Sequence, residues 1–199
     1  MAATLDLERV RRAIEDVADP ELPPVTIGML GMVHDVSVDD HDVVVELLPT
    51  FSGCPATEMI ERDVVAAVRN LPGVGAVRVR FRYDPPWTPE RISAAGRERL
   101  RSFGIAPPGG PVTGAAHPAG RATLPVVTAG TAAGTAEDGG VPGGEARPGT
   151  PEHRPCPYCG SDDTCRESAF GPTPCRDVRF CAACQQPFEA FRSLGPVPR

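Results

Sequence analysis

Two Cys-x-x-Cys pairs, Cys156/Cys159 and Cys181/Cys184, constrain the C-terminal part of this chain more than any other feature. Two-residue spacing lets both sulfurs of a pair ligate the same ion, so four thiolates converge on one tetrahedral centre. The segment around them is too short for an apolar core of its own, and metal binding supplies the folding free energy that burial does not. Zinc (Zn2+) heads the readings of this ligand set, given the ribbon-like spacing. A mononuclear iron site or a small iron-sulfur cluster uses the same four residues, and spacing does not separate these. Phe180, Phe188 and Phe191 flank the second pair and are expected to pack around the ion.

Compartment and partners follow from cysteine use and charge. The first ten residues carry charge and no apolar run of signal-peptide or membrane-spanning length, so a cytoplasmic protein is expected, with no membrane association. In a reducing compartment the 7 cysteines are ligands or reactive thiols rather than disulfides. Basic residues number 20 against 26 acidic ones, and the segment 151–199 carries equal numbers of each. That balance gives little attraction for phosphate and argues against nucleic acid as a partner.

The chain holds 24 Pro and 21 Gly, concentrated between Pro107 and His153 among Ala and Thr. Too little apolar surface lies there to offset chain entropy, so residues 107–153 are expected to form a disordered linker. It divides an N-terminal domain, residues 1–106, from a C-terminal ribbon, residues 154–193.

The N-terminal domain reads as α+β. Leu7, Val10, Ile14 and Val17 form a helical stripe, ended by Asp19-Pro20. The prolines of Glu21–Thr26 predict an ordered loop. Strands at Val33–Val38 and Val43–Leu48, joined by Asp39–Asp42, form an antiparallel hairpin. Pro55 suits the first position of a helix that buries Ile60, Val64, Val68 and Leu71. Val77, Val79, Phe81 and Tyr83 alternate with Arg78, Arg80 and Arg82, which predicts a strand in a sheet covered on one side. Thr88 and Pro89 open a last helix, expected to run to about Phe103. Helices on one face of a short sheet make a two-layer α+β domain.

Chemistry outside the ribbon centres on Cys54. Just before Pro55, at a helix start, partial positive charge from free amides favours a thiolate, and such thiolates are nucleophiles and metal ligands; a small buried core residue explains the position equally well. Ser52, Gly53 and Thr57 are placed to line an anion or thiol-exchange pocket beside it. Asp19 and Glu21 form a carboxylate pair that a helix stop and a solvated acid also explain. Cys165 and Cys175 exceed the four ligands of a closed zinc site, and ordinary free thiols explain both; of the two, Cys175, in its Phe170–Cys175 turn, is the better candidate for an extra ligand or a cluster-handling role. The four histidines show no triad or metal-site spacing.

Four motifs go further: Asp19-Pro20-Glu21-Leu22-Pro23, Leu30-Gly31-Met32-Val33, Thr50 to Glu58 with Cys54-Pro55 at its centre, and Pro85-Pro86-Trp87-Thr88. Over residues 5 to 106 they resemble the MIP18-type (DUF59) domain. The ribbon that follows, with Cys156-Pro157, Gly160-Ser161, Phe170-Gly171 and Pro187-Phe188 around its cysteines, is similar to that of the D-subunit family of the phenylacetyl-CoA epoxygenase (epoxidase) system. This resemblance implies a two-layer MIP18-type fold followed by a zinc β-ribbon. It also implies an accessory role in phenylacetate catabolism, assisting iron-sulfur or diiron cluster assembly, or else a structural adaptor of the oxygenase complex. Cys54 then falls on the family's functional cysteine and Asp19 and Glu21 on its acidic loop, with a transient iron-sulfur cluster as cargo, shared across a homodimer in one arrangement. The implied partners are the oxygenase and reductase subunits. The sequence contains no diiron Glu-x-x-His pair, nucleotide fingerprint or flavin motif, so oxygenase chemistry is expected to belong to other chains.

Overall fold

The computed structural model of the chain describes residues 5–108 and 154–192. The expected linker falls almost wholly on residues 109–153, outside the described residues.

The first helix, α1 (Leu7–Glu15), starts where Asp6 accepts a hydrogen bond from the Glu8 amide at 3.0 Å, and it buries Val10 and Ile14. Strands β3 (Val33–Asp39) and β4 (Asp42–Leu47) form the expected antiparallel hairpin, with Val36 opposite Val45. Asp40 takes a positive φ of 52° in its turn, a conformation Asp tolerates better than most residues. Helix α2 (Thr57–Arg69) then carries the chain back, so that β5 (Val77–Phe81) pairs with β4 in parallel. The sheet order is β3-β4-β5. Its inner face, with Val43, Val45 and Leu47 fully buried, packs on Ile60, Val64 and Val68 of α2 and on α1. Arg78, Arg80 and Arg82 lie exposed on the alternate positions of β5 and just beyond it, and the Arg82 guanidinium pairs with Glu46 at 2.9 Å.

Four local expectations change. The segment expected as a loop forms β2 (Leu22–Thr26), which folds back on β1 (Ala18–Asp19) as a separate two-stranded hairpin. Prolines are tolerated there because β2 is paired along one edge only. Helix α2 begins at Thr57, two residues later than Pro55 suggests, because Cys54 and Thr57 first close turns onto Phe51 and Cys54. The last helix is split: Pro89–Arg91 make one 3₁₀ turn, and α3 (Ala94–Ser102) restarts where Ser93 accepts from the Gly96 amide at 3.0 Å, a true side-chain cap that Thr88 does not provide.

The fourth difference sets the architecture. Strand β6 (Ile105–Ala106) pairs in parallel with β9 (Gln186–Phe191), the last strand of the ribbon. With β7 (Thr164–Ser168) and β8 (Arg176–Cys181) it completes a four-stranded sheet of order β6-β9-β8-β7. The ribbon is therefore docked on the N-terminal domain. Phe191, 1 % exposed, joins the same apolar cluster as Val10 and Leu47 and meets the Trp87 ring at a centroid distance of 5.9 Å. Trp87 is fixed in turn by its indole N–H, which donates to the Leu30 carbonyl at 2.8 Å. Gly104, at φ +74°, precedes β6, and any Cβ there would overlap the Tyr158 hydroxyl of the ribbon, so glycine permits both the turn and the close approach.

Candidate functional site

The sequence-predicted residues gather into two clusters of different chemistry. In the first, the Sγ atoms of Cys156, Cys159, Cys181 and Cys184 all lie within 4.8 Å of one another. Cys156–Cys184 and Cys159–Cys181 are 3.6 Å apart. A tetrahedron of thiolates at zinc-sulfur bond length has edges of about 3.8 Å, close to these two spacings, so the four residues suit such an ion. Each pair rides on a tight turn: the Gly160 amide donates to the Cys156 carbonyl at 2.9 Å, and the Gln185 amide to the Cys181 carbonyl at 2.8 Å. Burial, set against amide hydrogen bonds from its own turn, pushes the Cys156 thiol up to about 12. Burial also raises Cys184, whereas at Cys181 the amide of Cys184 and the neighbouring thiols outweigh burial and lower it. Crowded sulfurs that ionise at the expense of their neighbours are a ligand set that a cation relieves.

The second cluster is built from three separate places. Asp19, 6 % exposed, sits at the end of β1, and its carboxylate accepts from the amides of Glu21 at 2.8 Å and Leu22 at 3.0 Å. It thereby fixes the tight turn that presents Glu21. Burial raises the Asp19 carboxyl above its ordinary value, although both amide hydrogen bonds act to lower it. Cys54 lies in the turn between β4 and α2, half-buried against the core, and the Thr57 hydroxyl donates to its carbonyl at 3.1 Å. The third contribution comes from the ribbon: Cys175, at the head of β8, places its Sγ 3.9 Å from Glu21 Oε2.

Of the two readings open for Cys54, helix-start thiolate and small core residue, the half-buried position leans towards the second. Burial pushes this thiol up to about 11; the Ala56 amide opposes the shift, while the charges of Glu21 and Asp19 and the Cys175 thiol add to it. The helix start gives less than its sequence position suggests, because α2 begins three residues beyond Cys54 and the charges of two acids act against ionisation of the sulfur. Ser52 and Gly53, expected to line a pocket, stand exposed.

Sequence reasoning sets Asp19 and Glu21 near the Cys54 site and gives Cys175 a ligand or cluster-handling role without linking it to Glu21. No local pattern reveals that pairing, since Glu21 and Cys175 are 154 positions apart. Cys165 is exposed on β7, opposite Phe180 of β8, and is not one of the four clustered sulfurs. Among the flanking phenylalanines, Phe188 packs beside Cys156 and Cys181, as expected, while Phe191 belongs to the N-terminal core. A cleft of about 430 Å³ where β6 meets the ribbon, between Phe103, Tyr158 and Phe188, has no cysteine in its lining. No helix of the described residues is long and apolar enough to cross a membrane.

Known proteins match both parts. Residues 7–79 match the iron-sulfur cluster assembly protein family, and residues 142–192 match the PaaD zinc beta ribbon domain. A protein of Escherichia coli (strain K12), provisionally named as the D-subunit of 1,2-phenylacetyl-CoA epoxidase, is 34% identical over 91% of this chain and 89% of its own length. The Fe-S protein maturation auxiliary factor YitW of Bacillus subtilis (strain 168) is 37% identical over 43% of this chain and 84% of its own. The Fe-S protein maturation auxiliary factor SufT of Staphylococcus aureus (strain USA300) is 36% identical over 39% of this chain and 88% of its own. Both shorter relatives correspond to less than half of this chain, whereas the first spans nearly all of it. An α+β iron-sulfur assembly domain followed by a four-cysteine zinc ribbon, matched nearly end to end by that longer relative, places the chain in the D-subunit family of 1,2-phenylacetyl-CoA epoxidase.

Proposed function

We propose that this protein is a cytoplasmic accessory factor of the phenylacetyl-CoA ring-epoxidising oxygenase system, assisting assembly of an iron-sulfur or diiron centre in its oxygenase or reductase subunits. In this reading Cys54 takes iron or a cluster as transient cargo, Glu21, whose charge acts on that thiol, handles it with Cys54, and Asp19 holds the Glu21 turn in place. The observation that carries the proposal is Cys54 itself: a partly accessible thiol within the electrostatic reach of Glu21 and Asp19, on a domain whose relatives are named as iron-sulfur maturation factors. A soft sulfur beside hard oxygens suits an iron ion that must be both held and released. The ribbon ion, proposed as zinc, is structural: four thiolates close its coordination sphere and leave no position for chemistry.

A second reading, a structural adaptor that joins oxygenase and reductase with Cys54 inert, draws on the same thiol's rise to about 11. A protonated, half-buried thiol is a poor nucleophile until a cation displaces its proton. The two readings part in cells. With Cys54→Ser replacing the wild type, the maturation role predicts client proteins that are assembled but deficient in iron; full iron content would leave the adaptor as the working function.

A further inference from the structure

Strand β5 is an edge of the three-stranded sheet, and its ladder with β4 runs from Val43–Val77 to Leu47–Phe81 without a shift in register. Two bonds fix which way its backbone turns: the Val43 amide donates to the Ala76 carbonyl and the Arg82 amide to the Leu47 carbonyl, both at 2.8 Å. Even-numbered residues of β5 therefore turn their amides and carbonyls to β4, and those of Val79 and Phe81 point to the open edge. Among the described residues the Val79 and Phe81 amides have no other backbone partner. Side chains alternate too. Val79 and Phe81 are only partly buried, whereas Val43, Val45 and Leu47 of the neighbouring strand are fully buried, so the apolar layer runs out at this edge. On the opposite face Arg78 and Arg80 stand exposed. Glu46, in register with Arg80, is taken by Arg82, and among the described residues Arg78 and Arg80 pair with no carboxylate. The edges β3 and β7 each carry a register shift and β6 has 2 residues, features that discourage pairing and that β5 lacks.

We propose that β5 is a docking edge for a partner protein, which adds an acidic extended segment to the sheet as a fourth strand. Its acidic side chains lie over Arg78 and Arg80, and the apolar side chains that alternate with them cover Val79 and Phe81. Backbone hydrogen bonds along the edge give such a contact its hold, and the alternate side chains give it specificity. The same arginines select the occupant. A second β5 would set like charges against each other, whereas an acidic strand gains from each of them. The inference goes beyond the function proposed above and needs no metal at Cys54, so it holds equally for a maturation factor and for an adaptor.

The test uses the full chain and, as probe, a synthetic peptide of alternating Glu and Val about six residues long, a common strand length. Hydrogen exchange at single amides is the readout. At millimolar peptide, exchange at Val79 and Phe81 should slow roughly tenfold or more, while Arg80, whose amide already faces β4, should not change. Replacing both exposed arginines, Arg78→Glu with Arg80→Glu, should weaken binding roughly tenfold, and added salt should weaken it as well. A peptide with Lys in place of Glu should not bind, and neither should the Glu peptide once N-methylated at the amides that would meet β5. Binding without slower exchange at Val79 and Phe81, or equal binding of the N-methylated peptide, would reduce the arginines to a charge patch and overturn the proposal. So would the absence of any binding. Amides that are already slow in the free protein, together with a dimer in sedimentation, would give the edge to a second copy instead. The peptide series on wild-type protein decides the matter even if the double variant folds poorly.

Discussion

The N-terminal domain buries Val10, Ile14, Leu47 and Ile60 completely, whereas the ribbon's own interior holds Cys156, Cys181, Asp177 and Arg179. The first region is held by apolar area removed from water, worth about 1.5–3 kcal/mol for each fully buried aliphatic side chain. The second buries an ion pair, Arg179 Nε on Asp177 Oδ1 at 3.0 Å, whose attraction does little more than offset its desolvation. Its apolar cluster beyond the ligand cysteines is Ala106, Phe188 and Ala190, one of which comes from the other domain. One region can fold on its hydrophobic pattern, and the other needs a cation. Glu21 and Cys175 meet at the seam between them, one residue from each region.

The largest effect expected follows from that contrast. Stripping the ribbon ion with a strong chelator should unfold residues 154–192 while α1, α2 and β3–β5 persist, since structural zinc in small fingers contributes about 10–16 kcal/mol. Circular dichroism and hydrogen exchange read the two regions separately. Loss of protection across β4 and α2 along with the ribbon would show that the N-terminal core is not self-sufficient.

Next in size is the junction. Phe191→Ala removes a fully buried ring shared by both regions and should cost about 3–5 kcal/mol. It should also release the β6–β9 pairing while the ribbon keeps its zinc, visible as faster amide exchange at Ile105 and Ala106. Unchanged exchange there would mean that the ribbon is held on the domain by other contacts.

A smaller and more local change tests the acidic turn. Asp19→Ala removes two amide hydrogen bonds and should cost about 1–3 kcal/mol. Asp19→Asn keeps the acceptor oxygen without a buried charge. Because burial raises the folded-state carboxyl above 3.8, its contribution to stability is fully present below 3.8 and is lost as pH rises through the raised value. Asp19→Asn should therefore be at least as stable as wild type at neutral pH, and that relative advantage should fade in acid. Equal losses for Ala and Asn would indicate that the charge, not the hydrogen bonds, holds the turn.

Much of the N-terminal domain was legible in the sequence because its pattern is regular. Val77 to Phe81 alternates with period two, α2 presents Ile60, Val64 and Val68 at helical spacing, and both survive in the structure. The ligand quartet was legible for a different reason, since paired cysteines at fixed spacing have few other uses. What was hidden is what depends on partners. Ile105–Ala106 is a strand only because β9 lies beside it, and two residues carry no period. The Asp19 turn depends on a side-chain oxygen meeting amides two and three residues on, which Asp19-Pro20 at a helix end masks. For Cys54 the sequence left a thiolate and a buried core thiol both open, because the degree of burial is set by the fold and not by Pro55.

The central claim is that the chain carries two kinds of sulfur site, a closed structural one in the ribbon and an open one at Cys54 for iron. It is tested most directly by metal and acid-labile sulfide analysis of wild type and Cys54→Ser, both purified without oxygen and supplied with iron and sulfide. The account predicts one ribbon zinc per chain in both proteins, together with iron that is present in the wild type and absent from the variant. Zinc alone in both, with neither iron nor sulfide, would contradict it and leave Cys54 a core thiol.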